Sequence, residues 1–328
     1  MQKLSDITAF QAALNNFGRD RIPCLFIVDY AMKNPLIVRL DEVDPHACLY
    51  YFRGKTNAFY SQRKKTLVEL TKKPVQYQDY EKSFSIIQKE LRNGNTYLVN
   101  LTAPTAIQCN ETLREIFFAA SAKYKLWYNG EFVFFSPEQF VFIRENMIRT
   151  FPMKGTIRAS VPDAENIILA DEKEMAEHIT VVDLLRNDIG MVARKVAVDR
   201  FRYIEHVVTP EETLLQVSSE ISGNLDVSWR ENLGNLMAML LPAGSVTGAP
   251  KKKTMEIIGE AEQYDRGYYT GVAGIFDGDS LDSCVMIRFI EKTAESKYVY
   301  KSGGGITVYS NCESEYRELV DKIYVPVA

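Results

Sequence analysis

Strand-forming and helix-forming stretches come in mixed blocks along this chain, not in regular strand–helix alternation, and that order limits the folds open to it. A parallel sheet needs a helical crossover between neighbouring strands, whereas strands joined through short turns pair antiparallel. PCLFIVDY (Pro23–Tyr30), NPLIVRL (Asn34–Leu40) and CLYYFRG (Cys48–Gly54) read as early strands, followed by a Lys-rich stretch at Arg63–Lys73. From Asp79, Phe84, Ile87 and Leu91 recur on one helical face until Asn93-Gly94 stops the helix. Thr96–Thr102, Glu131–Phe135, Gln139–Ile143 and Met147–Phe151 are strand-like, with Glu145-Asn146 as a hairpin turn.

A long helix is predicted from about Asp171 to Asn187, with Met175, Ile179, Val182 and Leu185 as its core stripe. Val207–Ser222 reads as strand and Glu231–Leu241 as helix, and Pro250 opens a further helix running to about Gln263. TGVAGIF (Thr270–Phe276) and LDSCVMIRFI (Leu281–Ile290) are read as two strands around a turn at Asp277-Gly278. A strand, a triple glycine and a helix over Glu313–Ile323 complete the pattern. The fold class is therefore α+β, a layered sandwich.

Composition narrows the function classes. Hydrophobic residues at 46% and charged residues at 25% are those of a globular protein with ample core. A net charge of −4 has the wrong sign for a general nucleic-acid binder. The five cysteines are scattered with no C-x-x-C pair, so they read as reduced thiols, not a disulfide framework or zinc site. No apolar run approaches the ~18 residues that cross a bilayer, and no signal sequence is legible, so a cytoplasmic protein with no membrane partner is expected.

Five features could carry chemistry. In Phe151-Pro152-Met153-Lys154-Gly155-Thr156 an ammonium projects from a tight bend. It is either a solvated lysine or a nucleophile; the latter needs burial or a cationic neighbour to lower its pKa, and Arg158 is close in sequence. Glu174 and Glu177, and likewise Glu315 and Glu318, are three apart on predicted helices. If those faces converge they form an all-oxygen site suited to Mg2+; otherwise they are solvated acidic faces. Gly303, Gly304 and Gly305 form either a flexible turn or a backbone anion nest. Arg288, alone in an apolar strand, is either an edge residue or a carboxylate clamp. The loop Ala243–Pro250, which contains Ser245, precedes a helix N-terminus and suits an anion. His178 reads as a packed residue, and no Ser-His-Asp or Cys-His set can be assembled. Together these parts suit a small, multiply anionic substrate.

In order and wording, the motifs resemble the chorismate-utilising enzymes, the family of anthranilate, isochorismate, salicylate and aminodeoxychorismate synthases. The matching stretches are SPEQF (Ser136–Phe140), FPMKGT (Phe151–Thr156), DEKEMAEHITVVDLLRNDIG (Asp171–Gly190), QVSSEISGNL (Gln216–Leu225) and PAGSVTGAPKKKTMEII (Pro242–Ile258). They continue through YYTGVAGIF (Tyr268–Phe276), LDSCVMIR (Leu281–Arg288) and SGGGITVYSNCESEYRE (Ser302–Glu318). The resemblance implies two large, mostly antiparallel sheets flanked by helices, with the active site between them. It also implies one domain over 1–328, with a short N-terminal portion 1–78 and a catalytic core 79–328.

Lys154, where anthranilate synthases of the family carry Ala, points to the aminodeoxychorismate synthase component I branch, with anthranilate synthase component I as the alternative. On that resemblance Lys154 attacks C2 of chorismate as the C4 hydroxyl leaves, and Glu138 protonates the departing group. Ammonia, supplied by a separate glutamine amidotransferase subunit, then adds at C4. Glu177 and Glu318 match direct Mg2+ ligands, with Glu174 and Glu315 beside them. Arg288 and the backbone of Gly303, Gly304 and Gly305 match a carboxylate clamp, Ser245 a substrate-loop hydroxyl and Tyr269 a pocket wall. Gln216 stands where aromatising relatives have His, and Leu98 where isochorismate-forming ones have Lys and amino-transferring ones usually have Gln. A regulatory relative that had lost catalysis would show damage to the lysine, the acid or the metal glutamates, and none is damaged.

Overall fold

The computed structural model describes residues 1–59, 68–208, 213–295 and 297–327. Their strands form two sheets in which every pairing is antiparallel. The first sheet runs β1 (Gln2–Lys3), β3 (Leu36–Arg39), β2 (Cys24–Val28), β16 (Val272–Phe276), β17 (Leu281–Val285), β10 (Gln139–Arg144), β11 (Met147–Thr150), β14 (Thr213–Asn224), β12 (Met153–Arg158), and β13 (Arg194–Val208) also pairs with β14. The second runs β15 (Gly248–Ala249), β7 (Leu98–Cys109), β19 (Tyr298–Ile306), β18 (Phe289–Lys292), β9 (Phe132–Ser136), β8 (Tyr124–Tyr128), β4 (Cys48–Phe52), β5 (Lys55–Thr56), and β6 (Leu70–Lys73) also pairs with β7.

The helices are α1 (Ile7–Arg19), α2 (Tyr77–Arg92), α3 (Leu113–Ala119), α4 (Ala164–Ala170), α5 (Glu172–Gly190), α6 (Leu233–Leu240), α7 (Lys251–Ala261) and α8 (Cys312–Asp321). None of them is long and apolar enough to cross a membrane.

Apolar side chains from the two inner faces, among them Leu25, Ile27, Phe134, Ala273 and Phe289, fill the space between the sheets. On the outer face of the first sheet, Phe10 and Leu14 of α1, Val182 and Leu185 of α5 and Leu236 and Met237 of α6 cover Phe26 and Val28. On the outside of the second sheet, Phe84, Ile87, Ile257 and Leu319 of α2, α7 and α8 cover Val99 and Leu101. The α+β layered sandwich is thus observed. β2 is an unbroken apolar run because both of its faces are buried. The N-terminal portion 1–78 is woven into both sheets, with β2 pairing to β16 inside the first.

Four local expectations change. LDSCVMIRFI is not one strand: β17 belongs to the first sheet and β18 to the second, and the chain crosses at Met286–Arg288, where Arg288 has φ 53°. The β9–β10 connection through Pro137 and Glu138 crosses in the same way, so the two crossovers lie side by side. Phe135 N–H donates to Arg288 O at 3.2 Å and Val285 N–H to Glu138 O at 3.2 Å. The triple glycine is neither a turn nor a nest. It lies inside β19, opposite Thr102, Leu101 and Asn100 of β7. A Cβ on Gly303 would sit 2.6 Å from Thr102 Cγ2, so close backbone approach is what requires glycine there.

On α5 the inward face is His178, Val181, Val182 and Leu185, while Ile179 is 49% exposed and Met175 half-buried. β13 was not foreseen as a strand. Residues 63–67 of the Lys-rich stretch lie outside the described residues, and Lys72 and Lys73 belong to β6.

One buried ion pair fastens the second sheet to the loop before α7. Arg266 and Glu262 meet at 2.7 Å with side chains 2% exposed. Arg266 also donates to Val246 O at 2.8 Å and Asn100 O at 2.6 Å, and Glu262 accepts from Thr102 N–H and Oγ1, each at 2.8 Å. Arg266→Met would leave the Glu262 carboxylate buried without its cation, which typically costs about 3–5 kcal/mol. A urea midpoint well below that of the unmodified protein is expected; an unchanged midpoint would show that the pair does not brace this junction.

Candidate active site

A cavity of about 490 Å³ opens between the sheets, lined by β12 and β14 of the first, β7 and β19 of the second, and by α5 and α8. Every residue expected to act in catalysis, substrate binding or metal binding lines it except Glu315. Glu315 is 4% exposed and lies behind the wall: its Oε2 is 3.7 Å from where a Cβ on Gly304 would sit.

Lys154 enters from β12, where the register with β14 shifts between Lys154 and Thr156 and Gly155 takes φ 76°. Such a bulge re-aims one side chain out of the ladder. The Lys154 ammonium donates to Glu177 Oε2 at 2.9 Å. Burial pushes the Lys154 pKa down, but the charge and hydrogen bond of Glu177, with Glu318 and Glu174 behind it, outweigh burial and the net shift is upward. The amine is therefore held as a cation, contrary to the uncharged nucleophile that the sequence chemistry requires. Arg158, the neighbour proposed to lower its pKa, is exposed further along β12.

Asp171 caps α5 by accepting from Glu174 N–H, which sets the first turn and brings Glu174 and Glu177 to the cavity. Burial pushes the Glu174 carboxyl up, and the Glu177 charge adds to that. From α8, Glu318 meets Lys322 at 2.6 Å, and Lys322 donates to Gly303 O at 2.9 Å. Lys322 lines the cavity and was missed in the sequence. Its signal was a position one helical turn beyond Glu318, the spacing at which opposite charges pair. Burial drives the Lys322 pKa down; Glu318 opposes this, while Lys154 and Arg288 push it down further.

Glu138 sits in the β9–β10 crossover and accepts from Ser245 Oγ at 2.5 Å. Burial raises its pKa, and the Ser245 bond with Lys154, Lys322 and Arg288 only partly offsets that, so the carboxyl retains a proton to higher pH than usual. Ser245 lies in a 3-10 turn over Gly244–Val246, and Tyr269 is 3% exposed in the opposite wall. Arg288 has no ion pair among the described residues; the Tyr324 ring lies under its guanidinium at 5.2 Å. Leu98 and Gln216 also face the cavity. His178 does not: its Nε2 meets Ser219 Oγ at 2.7 Å, and burial lowers its pKa to about 4, so it is a neutral packed residue as expected. Among the described residues, no three acidic, histidine or cysteine side chains gather closely enough to hold a metal ion.

A cavity that collects an amine, a proton-holding carboxyl, an unpaired guanidinium and several carboxylates is built for an anionic substrate and proton transfer. The family described as chorismate binding enzyme matches residues 34–328. The chain belongs to that family.

An uncharacterized PabA-like protein of Haemophilus influenzae is 47% identical over 98% of this chain and 98% of its own length. Aminodeoxychorismate synthase component 1 of Klebsiella aerogenes is 31% identical over 90% of this chain and 67% of its own. Anthranilate synthases match at comparable identity, so likeness alone does not separate the two activities. A crystal structure of a Bacillus anthracis 2,3-dihydroxybenzoate-specific isochorismate synthase shares the fold, with TM-score 0.71 and 20% identity over 98% of this chain and 88% of its own.

The Ser245 hydroxyl donates to the charged form of Glu138 and so favours it. Ser245→Ala removes that bond, and the Glu138 pKa is expected to rise further above the ordinary carboxylate value. A carboxyl carbon NMR titration reads this directly; a downward or absent shift would show that the hydroxyl does not tune the acid.

Proposed function

We propose that this member of the family aminates chorismate at C4 to give 4-amino-4-deoxychorismate, a step towards 4-aminobenzoate and folate, in the cytoplasm, with ammonia supplied by a separate glutamine amidotransferase subunit. The observation that carries the reading is that the Lys154 amine and the proton-holding Glu138 line one cavity with the unpaired Arg288. Glu138 gives its proton to the C4 hydroxyl, which leaves as water while Lys154 Nζ forms a bond to C2. Ammonia then bonds to C4, the C2–N bond breaks and the lysine amine is restored. Overall, chorismate and ammonia become the amino product and water.

Arg288, with the glycine-walled strand β19 beside it, receives one carboxylate of chorismate. The donor set of Glu174, Glu177 and Glu318, with Glu315 behind, is all carboxylate oxygen, the chemistry a hard divalent cation takes, and these side chains would have to draw closer than they stand to hold one. Burial with the Glu177 charge already destabilises the Glu174 carboxylate, an unfavourable crowding that such a cation relieves. Mg2+ bound there supplies positive charge to hold the ring carboxylate. Once Glu177 no longer faces the ammonium, burial is left to lower the Lys154 pKa, as a nucleophile at neutral pH requires.

Against anthranilate formation stand Lys154 itself and Gln216, whose amide cannot remove a ring proton. Leu98 cannot activate water, which disfavours isochorismate formation.

Incubation with chorismate, ammonium and Mg2+ is expected to yield a product that a lyase converts to 4-aminobenzoate. Fluorescent anthranilate formed without a lyase would overturn C4 amination. Withholding ammonia should let mass spectrometry find an adduct on Lys154, and Lys154→Ala should lose most turnover with an unchanged melting temperature; full activity in that variant would place the nucleophile elsewhere. Glu318→Ala is expected to lose activity and Mg2+ dependence together, and activity that still rises with Mg2+ would reject the metal assignment.

A further inference from the structure

Arg288 is a cation set into the cavity wall with no ion pair among the described residues, and what orients it is of consequence for any anion it meets. Its backbone has φ 53°, a left-handed conformation uncommon for a side-chain-bearing residue and set here by the crossover between the two sheets. Its carbonyl accepts from Phe135 N–H at 3.2 Å, so its main chain is fixed. That leaves a long side chain, and the one aromatic ring found under its guanidinium among the described residues is Tyr324, 5.2 Å from Cζ, whose side chain also acts on the Arg288 charge through a hydrogen bond.

Tyr324 follows α8 and is itself tied down through its backbone. Tyr300 Oη donates to Tyr324 O at 3.0 Å, Ser121 N–H donates to Pro326 O at 2.6 Å, and Val327 forms a bridge with Ala120. Ile323, just before it, is 3% exposed. The ring is thus delivered to Arg288 by a segment whose anchors are main-chain atoms and a neighbouring apolar residue. Tyr324 itself is 46% exposed, and none of these anchors is its side chain.

We infer that Tyr324 is a positioning residue for Arg288: its ring backs the guanidinium and holds it aimed into the cavity, so that the substrate carboxylate meets a preoriented cation. The physical reason is twofold. A ring face attracts the guanidinium and, unlike a carboxylate, does not neutralise it, so the full charge stays available to an anion. A preoriented side chain also loses less rotational freedom when the anion arrives. Tyr324 touches no reacting atom in this arrangement, so it acts on binding and not on the chemical steps.

The inference rests on the proposed chorismate reading and is tested on the full chain with chorismate, ammonium and Mg2+. Tyr324→Leu removes the ring, and Tyr324→Phe keeps it. The Leu variant is expected to raise KM for chorismate about 2- to 30-fold, the range of a cation–ring contact of about 0.5–2 kcal/mol, with kcat within twofold and an unchanged melting temperature. The Phe variant, which keeps the ring and loses only the hydroxyl that bonds Arg288, should have a KM clearly below that of the Leu variant. In an Arg288→Met background, adding Tyr324→Leu should produce no further rise in KM, because the ring has nothing left to orient.

A Leu variant with unchanged KM, a Phe variant as weak as Leu, or equal effects with and without Arg288 would each overturn the role of Tyr324 and leave the chorismate reading standing. Failure of the unmodified protein to turn over or bind chorismate would instead reject both. Should the Leu variant melt early, Tyr324→Met, which fills similar space without a ring, takes its place under the same criteria.

Discussion

Lys154 and Glu177 meet 2.9 Å apart inside a cavity that also holds Glu138, Glu174, Glu318, Lys322 and Arg288. Charges taken out of water each cost several kcal/mol unless a neighbour compensates them. Two of the carboxylates are answered by lysines: Glu177 of α5 by Lys154 of β12, and Glu318 of α8 by Lys322 one turn further along the same helix. Glu138 and Glu174 are left with raised pKa values, which is the form an uncompensated buried carboxyl takes. The wall is therefore acid–base machinery as a result of its own electrostatics.

The sandwich supplies this concentration of charge through two devices. Side-by-side crossovers carry the chain from one sheet to the other, and the residues at the crossings, Glu138 and Arg288, are freed from ladder positions to face the cavity. The second device is the glycine run of β19. A Cβ at Gly305 would stand 3.2 Å from Leu98 Cδ1 and 3.5 Å from Lys154 Nζ, and one at Gly304 would come within 3.8 Å of Glu318 and Lys322. Bare backbone there gives room to the charged side chains that reach in from other elements.

What the sequence showed depended on how local the cause was. α2, α5 and α7 announce themselves through apolar periodicity and caps, and the hairpin at Glu145, with φ 57°, through its turn residues. The sheet crossing inside LDSCVMIRFI was hidden because every residue there suits a strand equally well in either sheet. β13 escaped because its sequence, RKVAVDRFRYIEHVV, carries charged residues through much of its length. The α5 stripe was displaced because packing took His178 inward to Ser219, a partner 41 residues away. Among the site residues, positions were legible from motif likeness, but protonation was not: the partner of Lys154 lies 23 residues on, and that of Glu138 lies 107 residues on.

Lys154 and Lys322 are both half-buried and each is paired with one glutamate, yet their pKa values move in opposite directions. Glu177, Glu318 and Glu174 all act on Lys154, whereas Lys322 has Glu318 in its favour and Lys154 and Arg288 against it. The cavity is therefore polarised, negative toward α5 and positive toward Arg288 and Lys322. A dicarboxylate entering it can set one group against Arg288 directly. Its other group then faces Glu174, Glu177 and Glu318 and is repelled unless positive charge stands between them. The same polarity that makes Arg288 a ready anion site thus leaves the opposite wall, where Lys154 and Lys322 already answer Glu177 and Glu318, less favourable to a second carboxylate.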